Sequence, residues 1–326
     1  MKYAFIKAEL TLYPLSFCCW VLGLTTSGYY AWGKRSPSAR AIAKASLGET
    51  IRTIFNNQKG RYGAPRIYKA LCRHHGYTGS LNRIQALMRI TGLRAKAAKR
   101  YQVTTDSGHS LPVAANLLGQ DFSCDASPES TSHAKAPDQV WLSDITYLWT
   151  SEGWLFACCV LDLFTRKIVG WSMEPHMSRE MVLAAMTMAY QNRRQELNAT
   201  AHALIFHSDR GSQYASQDVR SWLAERGMKQ SMSGTGNCYD NAPMESFWHS
   251  LKVEETHGQH FATRAEARHC VFAYIEGFYN TTRMHSSLGY QSPIEFEREF
   301  MSKATAANDE TLLQNSQTAR LTKRAA

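Results

Sequence analysis

Two hydrophobic periods divide this chain. In "QVWLSDITYLWT" apolar and polar positions alternate, and the stretch is rich in aromatic and β-branched residues, which predicts a strand. "GWLFACCVLDLFTRKIVGWSME" reads as a two-stranded hairpin turning near Phe164 to Arg166. "SREMVLAAMTMAYQNRR" then switches to the helical period. "ALIFHSD" is a short buried strand, "SQDVRSWLAERG" a helix and "MKQSMS" a strand again. A further helix opens at "MESFWHSLKVEE", with Pro243 in its first turn, and a last one covers "TRAEARHCVFAYIEGFYNTT". This mixed order predicts an α/β core, a mixed sheet with flanking helices, whose functional groups lie at strand ends.

The first hundred residues carry the helical period alone. "YPLSFCCWVLGLTTSGYYAW" fits two short helices around a turn at Gly23. "APRIYKALCRHHGYTGSLNRIQALMRITGL" sets Ile67, Leu71 and Cys72 on one face, breaks at Gly76, offers Ser80 as an N-cap and sets Ile84, Leu87 and Met88 on the next face. This is a helix-turn-helix pattern, and it carries Arg66, Lys69, Arg73, Arg83 and Arg89. The chain therefore divides into an all-α helix-turn-helix region at residues 1–100 and a linker at 101–137 that lacks an apolar period. A catalytic core with its C-terminal helix follows at 138–300, then a polar tail at 301–326 that reads as disordered. No internal repeat is present.

Charge sharpens this division. Residues 1–104 hold 18 Lys and Arg against two acids, Glu9 and Glu49, a net +16, while the rest of the 326 residues sums to −6. A basic front on an acidic body points to a polyanion gripped by one part and worked on by another. The eight cysteines contain no C-x-x-C pair and read as reduced thiols of a cytoplasmic protein. The run "LSFCCWVLGL" is too short to span a bilayer and lacks the basic start of a signal peptide, so no membrane is expected.

Three acids then stand out. Asp144 lies mid-strand, where Asp is disfavoured and costly to bury unless something binds it. Asp209 ends "ALIF", and Glu245 begins the helix after the Gly-rich "SGTGNCYDNAPM". Singly, each has an ordinary explanation: a hydrogen-bonded Asp, a strand-end turn, an acid favoured at a helix N-terminus. Together, two strand carboxylates and one helical carboxylate could converge on hard cations such as Mg²⁺. Two such ions about 3.5–4 Å apart suit an in-line displacement at phosphorus. Asp240 is the rival to Glu245, the helical carboxylate being the more firmly held of the two. Asn237, Asp240 and Asn241 are expected to shape or cap the loop.

These residues also carry a family resemblance. "WLSDITYLWTSEGWLFACCVLDLFTRKIVGWSM", "HSDRGSQYAS" and "SMSGTGNCYDNAPMESFWHSLKVE" resemble the catalytic core of DDE insertion-sequence transposases of the OrfB type, relatives of retroviral integrases. Thirty-five residues separate Asp209 from Glu245, the spacing that names the group. "YGAPRIYKAL", "LMRITGLRA" and "FYNTTRMHSSLGYQSPIEF" are similar to the flanking segments, so the resemblance covers nearly all of residues 1–300. It implies an RNase H-like core and a metal-binding triad of Asp144, Asp209 and Glu245 holding two Mg²⁺, with Mn²⁺ as substitute. The implied reaction is cutting at mobile-element ends and joining of the freed 3′-OH to DNA. Lys252, seven positions after Glu245 on nearly the same helix face, is placed at a phosphate or base near the cut. Arg66, Lys69, Arg83 and Arg89 are further candidate DNA contacts, with His207, Arg283 and His285 weaker ones and His249 as readily structural. The implied partners are DNA ends and target, further copies of the chain on DNA, and the product of an upstream reading frame, separate or fused. "LCRHHG" has no C-x-x-C partner, so no zinc is expected. The competing readings are a nuclease that cuts without joining and a DNA-binding regulator with an inactive core.

Overall fold

The fold is described from a computed structural model, for residues 2–97, 111–127, 129–193, 204–234 and 238–306. Asn237, the first part of the expected linker, 101–110, and the tail from 307 lie outside the described residues. The chain divides into two compact units, Met1–Arg94 and Ala95–Ala326.

The first unit is all helical: α1 Lys2–Glu9, α2 Leu15–Val21, α3 Thr26–Lys34, α4 Ala39–Asn57, α5 Ala64–His75 and α6 Leu81–Ile90. Ile6, Cys18 and Cys19 make a small core under α1 to α3. In α5 and α6 the expected faces are the buried ones, with Ile67, Leu71, Ile84, Leu87 and Met88 all inside and Cys72 half-buried. Gly76 ends α5 in the left-handed region at φ 60°, where a residue with a Cβ would be disfavoured. The Ser80 hydroxyl accepts from the Arg83 amide and starts α6. Among the described residues no helix is long and apolar enough to cross a membrane.

The second unit is built on a five-stranded sheet in the order β3-β2-β1-β4-β5. Strands β1 Val140–Thr150, β2 Gly153–Asp162 and β3 Ile168–Glu174 form an antiparallel meander. β4 Ile205–Ser208 pairs parallel to β1, and β5 Lys229–Met232 parallel to β4. This is the mixed sheet of the RNase H-like expectation. Helix α7 Arg179–Asn192 and α8 Gln217–Glu225 cover one face, where Trp141, Val160, Met181, Ala185 and Phe206 are fully or almost fully buried. Ser178 and Ser216 cap these helices by accepting from Met181 and Val219 amides. Helices α9 Ala242–Leu251 and α10 Arg264–Tyr274 follow, each running directly into a π-helical turn, Lys252–Thr256 and Ile275–Tyr279.

Two stretches differ from the expectation. The described part of the expected linker is irregular but bonded to the core. The Leu117 amide donates to Ser231 Oγ at 2.9 Å, Gln120 Nε2 to Asp240 Oδ1 at 2.8 Å, and Leu118 and Ala134 are buried. Segments of this kind need no apolar period, because side chains of the core satisfy their backbone groups. The expected tail from 301 also begins too early, since α11 runs over 293–306. Its start is a capping box: the Glu295 amide donates to Ser292 Oγ at 3.3 Å, and Glu295 Oε2 accepts from the Ser292 amide at 2.9 Å. Phe296 and Phe300 pack on Phe164, and Glu297 pairs with Arg193 at 2.6 Å and Lys167 at 2.7 Å. Arg193 in turn holds the buried Asp138 at the start of β1.

The approach of α7 to β3 depends on Gly170. A Cβ there would stand 2.3 Å from the Ala185 carbonyl oxygen and 2.6 Å from the Ala189 amide nitrogen, both backbone atoms that cannot swing aside. Gly170→Ala is expected to lower stability by about 1–3 kcal/mol through overpacking. A urea unfolding midpoint equal to that of the parent would show that α7 does not rest on this contact.

Candidate active site

Strand register brings the first two acids together. β4 runs parallel to β1 with Val140 opposite Ile205 and Ser143 opposite Ser208, and β4 stops there. Asp209 is therefore the residue immediately after β4, as Asp144 follows Ser143 on β1, and with neighbouring strands about 4.8 Å apart the two acids start from adjacent backbone positions. Asp209 turns out of the strand at once, its Oδ1 accepting from the Gly211 amide at 3.0 Å, while Arg210 Nε donates to the Ser233 carbonyl at 2.5 Å. The polar turn after "ALIF" thus fixes where the carboxylate stands.

The third acid arrives on α9, which two side chains tie to β1. Asn241 Nδ2 donates to the Ser143 carbonyl at 3.1 Å, and Trp248 Nε1 donates to Asp144 Oδ2 at 3.1 Å. Asn241, Glu245 and Trp248 are spaced four and three apart, so Glu245 lies between the two tethers on the same helix face. Behind Asp144, the buried Ser143 hydroxyl bonds to Tyr214 Oη at 2.8 Å and donates to the Cys159 carbonyl at 3.0 Å.

The electrostatics report the convergence. Asp144 is pushed up to about 8, first by burial, then by the negative charges of Asp209 and Glu245, while hydrogen bonds from the Ile145 amide and Trp248 pull the other way. Burial also raises Glu245. Lys252 lies at the same place, its Nζ 5.5 Å from the centre of the Tyr147 ring. Burial lowers its pKa and the Asp144 charge opposes that shift. Among the described residues no three Asp, Glu, His or Cys side chains are drawn in tightly enough to make a ready ion cage. Asp144 nevertheless feels the charges of both Asp209 and Glu245, so the three carboxylates lie in one neighbourhood.

The rival and secondary candidates have other employment. Asp240 is buried, accepting from Asn116 Nδ2 at 3.1 Å, Gln120 Nε2 at 2.8 Å and the Gly234 amide at 2.5 Å, so its carboxylate organises the loop. His207 is fully buried, with its ring nitrogens 2.8 Å from Ser231 Oγ and 2.8 Å from the Asp240 carbonyl, and burial lowers its pKa. It tethers the loop from inside, which corrects its reading as a DNA contact. Arg283 is likewise buried, its Nε and Nη2 donating to Glu254 and its Nη2 also to Ser250 Oγ at 2.8 Å. Glu254 belongs to the π-helical turn after α9 and also accepts from Tyr274 Oη at 2.8 Å. Arg283 is thus first a clamp on the helix that carries Glu245, with His285 buried beside it. His249 is exposed. In the helical unit Lys69, Arg83 and Arg89 are exposed and Arg66 is half-buried against Tyr62, 5.6 Å from its ring centre.

Trp248, Tyr214, Asn116 and Gln120 were assigned no contact by sequence reasoning, whereas Asn241, expected to shape or cap the loop, ties the start of α9 to β1. Trp248 carried a signal, its helical spacing from Glu245. The others reach the site only through the fold.

The chain is similar to known proteins along most of its length. The sequence family described as an integrase core domain matches residues 134–238, a second of the same description matches 245–301, and an HTH-like domain matches 42–101. The chain is 41% identical over 301 residues to the transposase InsF for insertion sequence IS3A of Escherichia coli (strain K12), covering 92% of this chain and 99% of that one. It is 39% identical over 282 residues to the insertion element IS600 uncharacterized 31 kDa protein of Shigella sonnei, covering 86% and 98%. Among solved structures, a simian T-cell lymphotropic virus intasome in complex with PP2A regulatory subunit B56 gamma aligns with a TM-score of 0.38 at 10% identity, over 76% of this chain and 74% of that one.

If Asp209 presses on Asp144 through charge, removing that charge must ease ionisation of Asp144. In the metal-free chain, Asp209→Asn is expected to move the Asp144 titration midpoint down from about 8, followed by carboxyl ¹³C resonances. An unmoved midpoint would mean that burial alone raises Asp144 and that the two acids do not share a site.

Proposed function

The chain belongs to the family of insertion-sequence transposases with an integrase core, and on that premise we propose that Asp144, Asp209 and Glu245 are its catalytic, metal-binding triad. The reaction is transposition: DNA strands are cleaved and transferred by polynucleotidyl transfer, with the DNA held in part by the helix-turn-helix-like region. One observation carries the assignment of the triad: the parallel register that stops β4 at Ser208, opposite Ser143, and so sets Asp209 beside Asp144.

The residues fit a pair of Mg²⁺ ions, with Mn²⁺ as substitute. All three donors are carboxylates, the hard oxygen ligands Mg²⁺ prefers, and Mg²⁺ keeps several waters rather than demanding a closed protein cage. Burial and then the charges of Asp209 and Glu245 push Asp144 up to about 8, and a divalent cation would relieve the charge part of that shift. When bound, the ions would supply activation of the attacking oxygen and stabilisation of the leaving oxygen. Around them, Asp144 and Asp209 act as ligands fixed by the sheet, and Glu245 as a ligand fixed by α9. Trp248 holds Asp144 Oδ2 in one orientation. Lys252, half-buried between Tyr147 and Asp144, offers its ammonium to a phosphate beside the cut. In cleavage, water attacks phosphorus and the bond to the 3′ oxygen breaks, freeing the 3′-OH. In joining, that 3′ oxygen attacks a phosphorus of the target strand and displaces its bridging oxygen. No protein side chain becomes covalently bound. The reading extends to a cytoplasmic protein that assembles in several copies on DNA, alone or with the product of an upstream reading frame, separate or fused.

Asp144→Asn, Asp209→Asn or Glu245→Gln is expected to cut Mg²⁺-dependent cleavage and joining by roughly three orders of magnitude or more while end binding persists. Asp240→Asn is expected to keep part of the activity, and Lys252→Ala to slow joining without unfolding the core. Full activity in any of the three triad variants would remove that residue from the triad, and parental joining by the Lys252 variant would remove Lys252 from the DNA path.

The exposed cations of α6 make a separate prediction. If Arg83 and Arg89 each reach a phosphate, replacing both by Gln should make the slope of log affinity against log salt less steep by roughly 0.9 per contact. An unchanged slope on element-end duplexes would place the phosphate contacts elsewhere.

A further inference from the structure

Helix α9 has a second functional face. Pro243, Ser246, Phe247 and Ser250 are spaced three, four and seven apart and line a cavity of about 280 Å³ on one side of the helix. At about 100° per residue, Glu245 and Trp248 point the other way, toward Asp144. The cavity walls facing the helix are basic and hydroxylated: Arg166 from the turn between β2 and β3, Arg283 and His285, and Ser286 and Ser287 at the exposed rim. Among the described residues no carboxylate lines the cavity.

Charge within this cavity is unevenly spent. The Arg283 guanidinium gives its Nε and Nη2 to Glu254 and presents Nη1 beside the His285 ring at 3.4 Å. Arg166 has no carboxylate partner among the described residues, and its Nη2 rests on the Phe122 carbonyl at 3.4 Å. A half-buried guanidinium, a second, fully hydrogen-bonded one behind it and several hydroxyls around one small cavity form a donor-rich, positively charged site for a tetrahedral oxyanion.

We propose that this cavity seats a phosphodiester of the DNA backbone other than the one being cut, with Arg166 and the Ser286 and Ser287 hydroxyls as donors and the Arg283 charge behind them. The separation follows from the helix. The cavity and the carboxylates lie on opposite sides of a cylinder about 10–12 Å across, against a rise of about 3.4 Å per nucleotide along a strand. The seated phosphate is therefore several nucleotides from the scissile one or on the other strand. Holding it would lock the DNA against both faces of the helix that carries Glu245. The proposal rests on the transposase reading, since that reading supplies the DNA.

The test uses the full-length chain and duplexes carrying the element's own terminal sequence, each with one methylphosphonate linkage, which removes the charge of a single phosphate. Two variants are compared with the parent: Arg166→Gln, and Ser286→Ala with Ser287→Ala, the latter confined to exposed hydroxyls. In the parent, one neutral linkage away from the cut is expected to weaken binding roughly fivefold to tenfold. In both variants the unmodified duplex is expected to bind that much more weakly, and the same neutral linkage to cost nothing further. The salt slope of the Arg166 variant should fall by roughly 0.9. Parental affinity and slope in both variants would overturn the site, as would a linkage effect that persists unchanged in them. Cleavage and joining by the parent, measured alongside, separate this from a failure of the transposase reading, which would show as loss of Mg²⁺-dependent activity in the parent itself.

Discussion

Like charges gathered in a half-buried place repel, and the second unit is arranged to hold three of them against that repulsion. Asp144 pays most, pushed up to about 8 by burial and by its two neighbours. Such a cluster persists only if the backbone around it is fixed by something stronger. Here it is fixed from the sheet by the β1 and β4 ladder, and from the helix side by the Asn241 and Trp248 hydrogen bonds. If one carboxylate could move a few ångströms the cluster would relax, so the rigidity of the surrounding backbone is what keeps the three acids together.

The same constraint explains polar groups far from the acids. Asp138, Arg193 and Glu297 form a buried ion-paired chain that anchors the start of β1, the end of α7 and α11 to one another. Removing one partner from such a chain leaves an uncompensated charge, which is strongly destabilising, so the network specifies one arrangement of the elements. Glu254, Arg283 and Tyr274 do the equivalent at the far end of α9, where the helix relaxes into a π-helical turn. π-turns within helices commonly occur beside functional sites. In this chain the turn begins at Lys252, so the clamp that stabilises the turn also sets the position of the lysine.

How much of this was legible depended on the range of the signal. Asp144 and Asp209 could be found because a carboxylate within or ending an apolar strand contradicts its local pattern, and Glu245 because Pro243 marks a helix start. The Ser80 cap and the Gly76 break were local as well. His207 was misread because "HSDRGS" is a polar stretch that looks exposed, and the burial of Arg283 in "RMHSSLGY" was hidden for the same reason; both are buried by partners, Asp240 and Glu254, which lie 33 and 29 residues away in the chain. Nothing within a short window reveals such pairing. The start of α11 is a different case: "SPIE" carried a capping box with Pro in the first turn, a local signal obscured by the polar composition that follows.

The division of labour between the units follows from where charge could be placed. A basic, nearly acid-free helical unit can grip phosphates through exposed side chains such as Arg83 and Arg89 at little cost, because water screens them. The sheet unit could not carry that density of cations without pairing them to its own carboxylates and dissolving the site. Its buried cations are accordingly spent on structure, Arg193 on Asp138 and Glu297, Arg283 on Glu254. Arg166 stands out against that pattern, a half-buried guanidinium on the cavity side of α9 with no carboxylate partner among the described residues. On the carboxylate side the corresponding cation is Lys252, which Asp144 already attracts. The helix bearing Glu245 therefore separates two electrostatic environments, acidic on the Asp144 side and basic on the Arg166 side, and the two are held at a fixed separation by the width of one helix.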